Sequence, residues 1–454
     1  MLHDEKTGRP SFIPPEEVHA TIRRYMLADG ERLVVDLQGS HGAYLRDAAT
    51  GRLYLDYYAY FASQPVGHNH PGLCEPTFRQ RIAEVALYNP ANSDVYTTYM
   101  AEFVETFARV AMPPEMKHLF LVSGGALAVE NALKAAFDWK TRKNMAAGKG
   151  ERGTQVIHLR EAFHGRSGYT LSLTNTADPR KFMYYPRFDW PRIINPKLEF
   201  PVTDAVLQRV IGEEAQAIAE IERAVEERPD DIAALIIEPI QGEGGDNHFR
   251  PEFFQVLRRL ADEHQFMLIV DEVQTGLATT GRMWAVEHMG VKPDMIAFGK
   301  KAQVCGVMVN GRIDEVEENV FRVSSRINST WGGNLVDMVR AQRYLEIIEA
   351  EALVQNADAM GRLLLDGLVA VSKDSDLLSN VRGRGMMLAF DLPDPRSRDI
   401  FRGLLLENGL IALKSGVRSI RFRPMLDLDH GAVEEGLEII ARSLFDARRD
   451  GAQL

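Results

Sequence analysis

Short, largely apolar runs recur along this chain, and each closes on a polar or small residue. They cover residues 118–122 (HLFLV), 156–160 (VIHLR), Ile232–Ile237 (IAALII), 267–270 (MLIV) and Met295–Phe298 (MIAF). A strand buried on both faces shows such a run rather than an alternation, because neither face meets water. Between the runs, apolar positions fall at helical spacing over residues 72–112, 127–143, 205–227 and 251–264. Strands in turn with helices predict an α/β chain built on a mostly parallel sheet.

The two ends of the chain read differently. Residues 14–26 (PPEEVHATIRRYM) combine Pro and acids with apolar positions at helical spacing, which predicts a short helix that packs by one face. LVVDLQ and AYLRDAATGRLYLDYYAYFA alternate around an Asp-Ala-Ala-Thr-Gly turn, as a small antiparallel sheet requires. From residue 335 the pattern gives helices over 335–351 and 353–372, alternating strands over 384–392 and 419–423, and a closing helix over 432–448, a separate α+β module. Residues 305–309 predict one more short strand, and the aperiodic, Pro- and aromatic-rich stretch 175–201 a long excursion that shapes a pocket mouth. There is no internal repeat, low-complexity tract or heptad.

Composition narrows the partners. With 45% hydrophobic and 26% charged residues the 454-residue chain is an ordinary globular one. A net charge of -11 without a basic tract argues against nucleic acid or an anionic membrane as the main partner, while leaving a local pocket free to hold a small anion. Cys74 and Cys305 make no disulfide framework and read as small buried hydrophobes. No run of about 18 apolar residues exists, so no membrane span is expected. An N-terminus without an apolar leader segment points to the cytoplasm.

The chemistry gathers at strand ends, where loops of an open α/β sheet carry ligands. Asp271 follows one apolar run and Lys300 the next, so if the two strands are parallel neighbours both face one crevice. Ser123-Gly124-Gly125-Ala126 joins a strand to a helix; it is either an anion site, with free N–H groups and the positive helix end, or a plain tight turn. Residues 161–166 (EAFHGR) offer an aromatic, a histidine and an arginine around a glycine, a loop able to stack on a flat ring and grip a carboxylate. Acids and glycines follow at 238–245 (EPIQGEGG), and glycines with hydroxyls at 329–334 (STWGGN). His68 and His70 lack a third ligand nearby and read as loop histidines, so no metal is expected. A phosphate-binding Walker loop fails, because Asp294 stands where its first glycine belongs and Lys301 follows Lys300; a dinucleotide G-x-G-x-x-G is also absent. The parts that remain suit an aldehyde cofactor with a phosphate and a pyridine ring. Its lysine must be neutral to attack, which desolvation or neighbouring cations favour. Taken singly, however, a strand-end aspartate is usually a cap, and Lys301 is an equally available amine.

These motifs also carry a resemblance. SGGALAVENALK (123–134), EPIQGEGG (238–245), DEVQTG (271–276) and GVKPDMIAFGK (290–300) resemble the class III, or ω-, aminotransferases of the fold type I pyridoxal phosphate enzymes, in family order and over nearly the whole chain. The resemblance implies a fold type I α/β architecture: a large domain (71–334) with a mostly parallel seven-stranded sheet, and a small α+β domain from both termini (1–70 and 335–454). Within the family, EAFHGRSGYTLSLTNT, FGKKAQVCGVM and STWGGN are most similar to the L-lysine ε-aminotransferases, which convert L-lysine and 2-oxoglutarate to 2-aminoadipate 6-semialdehyde and L-glutamate. By resemblance Lys300 is the Schiff-base lysine and proton shuttle, Asp271 the partner of the pyridine nitrogen, Gln274 a donor to the ring hydroxyl and Phe163 the stacked ring. Gly125 and Ala126 would give backbone N–H groups to the phosphate, and Thr330 would reach it from the other subunit of a homodimer with shared sites. Arg166, Asn328 and Arg421 would bind substrate, with Arg421 on the 2-oxoglutarate carboxylate and Glu243 as a gate that pairs with Arg421 and moves aside for the keto acid. The chain departs from many family members in having Leu127 for Glu and Ser123-Gly124-Gly125 for Asn-Ser-Gly, so side-chain contacts there do not transfer, whereas backbone donors do. The alternatives are another ω-amino donor (ornithine, 4-aminobutyrate or a diamine), a racemase on the same scaffold, and a non-catalytic cofactor-binding protein; Lys300, Asp271 and Gln274 together argue against the last.

Overall fold

A computed structural model describes residues 13–449. Residues 1–12 and 450–454, at the outer ends of the 1–70 and 335–454 units, lie outside the described residues. In chain order the elements used below are β1 (Tyr44–Arg46), β2 (Leu53–Asp56), α1 (Thr98–Val110), β3 (Met116–Val122), α2 (Gly125–Ala146), β4 (Gln155–Leu159), β5 (Arg192–Ile193), α3 (Asp204–Glu227), β6 (Ile232–Ile237), α4 (Pro251–Glu263), β7 (Met267–Asp271), β8 (Met295–Phe298) and β9 (Cys305–Asn310). They are followed by α5 (Leu335–Ala350), α6 (Leu353–Lys373), β10 (Ser379–Arg384), β11 (Met387–Asp391), α7 (Pro395–Glu407), β12 (Leu410–Ile411), β13 (Leu413–Ser415), β14 (Ser419–Phe422) and α8 (His430–Arg449).

The main sheet has seven strands in the order β3-β9-β8-β7-β6-β4-β5. Neighbours pair in parallel from β8 through to β5, and β9 alone runs against both β8 and β3. The apolar runs have a simple cause. In β7, Met267 and Ile269 enter the core under α2, beside Ala132, Leu133 and Trp139, while Leu268 and Val270 enter the opposite core with Phe107, Phe253, Phe254 and Leu257 of α1 and α4. Both faces are covered, so neither can be polar. The direction of β9 was not readable from its composition. The chain leaves β8, makes one tight turn at Lys300–Ala302 and comes straight back, which forces antiparallel pairing.

The second core joins the two ends of the chain. β1 pairs antiparallel with β2, β2 pairs parallel with β12, and a four-stranded antiparallel sheet runs β10-β11-β14-β13. Leu55 and Tyr57 share that core with Leu364, Phe390, Phe401, Phe422 and Ile440. The hand-over between the cores falls inside α5, whose Leu335, Met338 and Leu345 pack with the large sheet and whose Tyr344, Ile347 and Ile348 pack with the small one.

Four local expectations change. The helical stretch 72–112 is three helices, because Pro76 starts a new one and residues 87–97 are irregular. The first helix shrinks to a 3-10 turn plus Val18–Arg23 and buries no residue, so it is not the packing helix its pattern suggested. The strand expected over 384–392 is the second half of a hairpin, β10-β11; its first half, SNVRGR, is polar and irregular in register and left no alternation to read. The excursion 175–201 contains a one-turn helix at Pro179–Lys181 and the edge strand β5.

Candidate active site

β7 and β8 are parallel neighbours, with Asp271 opposite Ala297, so both strands end at the same edge and Lys300 follows within one turn. Asp271 is buried. Its Oδ1 accepts from Val273 N at 3.0 Å, and its Oδ2 lies 2.8 Å from His164 Nδ1, which must donate because an ionised carboxylate only accepts. His164 is buried too, and its Nε2 has no partner among the described residues. Glu238, at the end of β6, sits behind this pair and accepts from Phe163 N (2.9 Å) and Gly242 N (3.1 Å). Burial pushes the Glu238 carboxyl up to about 7; His164 opposes the shift and the Asp271 charge adds to it.

Lys300 follows Gly299 in the left-handed region, at φ 50°. Burial first, then the charges of Arg421 and Arg423, lower its amine to about 8, against the pull of Asp271 and Glu238. The lowering brings the amine nearer the neutral form that a nucleophilic lysine needs. Lys301 is no longer an equal candidate. Its Nζ donates to Ala62 O at 3.2 Å, on a turn where Ala59, Tyr60, Phe61 and Ala62 all have positive φ, and burial, Arg423 and Lys300 lower it to about 7. It braces that turn, while Lys300 keeps a partial opening to the crevice.

The opposite end of the crevice is the start of α2. Gly124 holds φ at 117°, and no side chain caps the helix, so the first N–H groups at Gly125 and Ala126 are left for a ligand. A Cβ on Gly125 would meet Val273 Cγ1 at 2.9 Å, so only glycine lets this turn close onto the strand end. Phe163 presents a half-buried ring on the same side as Glu238.

The second core delivers two arginines. Arg421 in β14 and Arg423 just beyond it are buried, and both reach Gln274 Oε1, Arg423 Nη2 at 2.9 Å and Arg421 Nη1 at 3.3 Å. With Oε1 so engaged, the Gln274 amide is left to donate. Gly242 makes room for it, because a Cβ there would fall 2.1 Å from Oε1. Arg423 also pairs with Asp246 and, desolvated, is lowered to about 10. Arg421 Nη2 lies 2.7 Å from Glu243 Oε2, and Lys181 Nζ lies 2.5 Å from Glu243 Oε1. Burial works to raise the Glu243 carboxyl, but the charges of Arg421 and Lys181 and their hydrogen bonds hold it below its usual range. A cavity of about 880 Å³ opens over Glu243, Lys181, Arg421, Tyr58 and Phe61.

Lys300, Asp271, Gln274, Phe163, Gly125, Ala126, Glu243 and Arg421 thus line strand ends and loops around one crevice. Arg166, Asn328 and Thr330 are not drawn into it by any described contact; all three are exposed. Thr330 precedes Trp331, whose carbonyl accepts from Ser123 N at 3.3 Å, so its loop lies against the turn that starts α2. Sequence reasoning missed Lys181, Arg423, Glu238 as a buried acid, and His164 as the partner of Asp271. Arg423 could have been found from the same-face spacing in SIRFRP; Lys181 lies in aperiodic chain and left no signal.

The arrangement is that of an enzyme that handles amines, and the chain belongs to the class III aminotransferases, whose family model matches residues 25–444. Class III aminotransferases are pyridoxal phosphate-dependent enzymes of fold type I, and this chain is one of them. It is 50% identical over 444 residues to the L-lysine-epsilon aminotransferase of Mycobacterium tuberculosis (strain ATCC 25618 / H37Rv), covering 96% of this chain and 97% of that one. It is 32% identical over 431 residues to the mitochondrial 4-aminobutyrate aminotransferase of Homo sapiens, with 89% and 84% covered. The solved structure of a lysine aminotransferase from M. tuberculosis in the internal aldimine form superposes with a TM-score of 0.93, over 96% of this chain and 100% of that one. The residues present fit the cofactor: a lysine amine with no hydrogen-bond partner among the described residues, a buried carboxylate opposite, an aromatic ring beside them and an uncapped helix start.

Proposed function

We propose that this enzyme transfers the ε-amino group of L-lysine to 2-oxoglutarate, giving 2-aminoadipate 6-semialdehyde and L-glutamate. The observation that carries the reading is the Glu243–Arg421 pair over the crevice of Lys300: one group for a cationic donor, the other for the acceptor's distal carboxylate. The 50% identity to L-lysine-epsilon aminotransferases supports it.

Pyridoxal phosphate, when bound, supplies an aldehyde for the amine and a ring that accepts electrons. Lys300 would hold the aldehyde side. Asp271, oriented by Val273 N–H and His164, would hold the pyridine nitrogen, Gln274 the ring hydroxyl, Phe163 the ring face, and Gly125 and Ala126 the phosphate. Lys300 Nζ, as a free amine, takes a proton from the carbon bearing the transferred amino group and returns it on the other side of the site; its lowered pKa suits both directions. Glu243 receives the donor's second ammonium group. Arg421 receives the acceptor's distal carboxylate.

The reading includes the division into a large domain (71–334) and a small one (1–70 with 335–454), a homodimer, and a cytoplasmic setting. Two adjoining segments support the dimer. Leu87, Tyr88, Val95 and Tyr96 are exposed, as is Trp331, and the segments are tied by Asn92 Nδ2 to Gly333 O at 2.8 Å. An exposed apolar surface of this kind beside the phosphate-end turn suits a second copy of the chain, to whose site Thr330 and Asn328 would then contribute. For the setting, no helix among the described residues is long and apolar enough to cross a membrane, and both cysteines are free.

A panel of amino donors with 2-oxoglutarate tests the substrate. L-Lysine is expected to give the highest kcat/KM. Ornithine, 4-aminobutyrate or a diamine exceeding it tenfold would replace the reading with that donor.

A further inference from the structure

The gate carboxylate has two cations, and only one of them has a role so far. Glu243 Oε2 faces Arg421 Nη2 at 2.7 Å, while Oε1 faces Lys181 Nζ at 2.5 Å. The three groups differ in freedom: the side chain of Arg421 is 2% exposed, that of Glu243 28% and that of Lys181 21%. Arg421 is fixed in its strand and also donates to Gln274, so Glu243 is the group that moves. Lys181 is a steady anchor for it. It ends the one-turn helix Pro179–Lys181, whose cap Asp178 accepts from Arg180 N at 3.1 Å and forks onto the Arg180 guanidinium, and its ammonium lies 5.6 Å from the centre of the Phe163 ring.

We propose that Lys181 is a specificity-determining residue that retains Glu243 when Arg421 is released to a dicarboxylic keto acid. The charge count favours it. With the gate closed, one carboxylate serves two cations. With a dicarboxylate on Arg421, each cation has one carboxylate: Arg421 the substrate's, Lys181 that of Glu243. Without Lys181, opening would strand a half-buried carboxylate, which costs more than the loss of an ordinary hydrogen bond. Lys181 therefore favours the acceptor half of the cycle. It also partly neutralises Glu243, which weakens the hold of Glu243 on a donor's ammonium group. The two halves should respond to its removal with opposite signs.

This deepens the proposed lysine and 2-oxoglutarate reading and rests on it. The test compares wild type, K181Q, K181R, E243Q and K181Q/E243Q holoenzymes in separate half-reactions with L-lysine, 2-oxoglutarate and pyruvate, the last lacking a distal carboxylate. In K181Q the KM for 2-oxoglutarate is expected to rise roughly tenfold, while that for pyruvate stays and that for L-lysine does not rise; K181R restores 2-oxoglutarate. In the E243Q background the same substitution should add less than about twofold, because the partner of Lys181 is gone. A parallel rise for pyruvate, an unchanged KM for 2-oxoglutarate, or a full effect without Glu243 would each overturn the role. If wild type turns over neither L-lysine nor 2-oxoglutarate, the substrate reading itself has failed, and the first column of the experiment shows that separately.

Discussion

Lys300 and Lys301 are adjacent in sequence and equally basic in free solution, yet their surroundings give them different work. Lys300 has Asp271 and Glu238 nearby and an opening to the crevice; Lys301 is enclosed, with one carbonyl, Ala62 O, to accept its proton. An enclosed amine lowered from 10.5 to about 7 sheds its proton on folding over that window. The unfolded chain then binds more protons than the native one, so native stability rises with pH between those values and is lost as pH falls toward about 7. In Lys301→Met that term is absent. The melting temperature of the variant minus that of wild type is expected to grow as pH falls from about 10 to about 7 and to stay level below, by a few degrees in all. Calorimetry of the apoenzymes across pH checks this; a difference independent of pH would mean that Lys301 stays protonated in the fold.

At the scale of elements, function sits where strands stop, and the start of α2 shows how narrow the tolerance is. Gly124 needs φ of 117°, a region closed to residues with a Cβ, and the N–H groups aimed by that conformation are those proposed to hold the phosphate. Gly124→Ala should fold, because α2 is held by Val129, Ala132, Leu133 and Trp139, but should bind pyridoxal phosphate about tenfold more weakly. Titration of the apoenzyme with the cofactor measures it, and an unchanged affinity would move the phosphate elsewhere. The elements also explain what could be read in advance. Strands buried on both faces write themselves as apolar runs, so β6, β7 and β8 and the placement of Asp271 and Lys300 at their ends were legible, and the motif resemblance singled out Gln274, Glu243 and Arg421. β10 was not, because SNVRGR neither alternates nor forms an apolar run. Long-range pairings leave no local pattern: Arg423 with Asp246 and Lys181 with Glu243 join residues far apart in sequence, so neither segment alone announces its partner.

The candidate site lies between two cores joined through α5 and through β14, and the proposed second copy covers the segments around Tyr88, Tyr96 and Trp331. Tyr88→Glu with Tyr96→Glu is expected to convert the proposed dimer into a monomer in sedimentation equilibrium and to lower cofactor retention with it, because the turn that starts α2 adjoins that surface. A variant that stays dimeric would place the contact on another face. The pairing of β2 with β12 has a consequence of another kind. Leu55 is the register partner of Leu410, so a strand made early on the ribosome waits for one made near the end of synthesis. Until then β1 and β2 have only each other to pair with, and their share of the second core stays open. Arg421, in β14, is made later still than β12, so a chain stopped short of it has Lys300 and the start of α2 but lacks the arginine proposed to receive the acceptor.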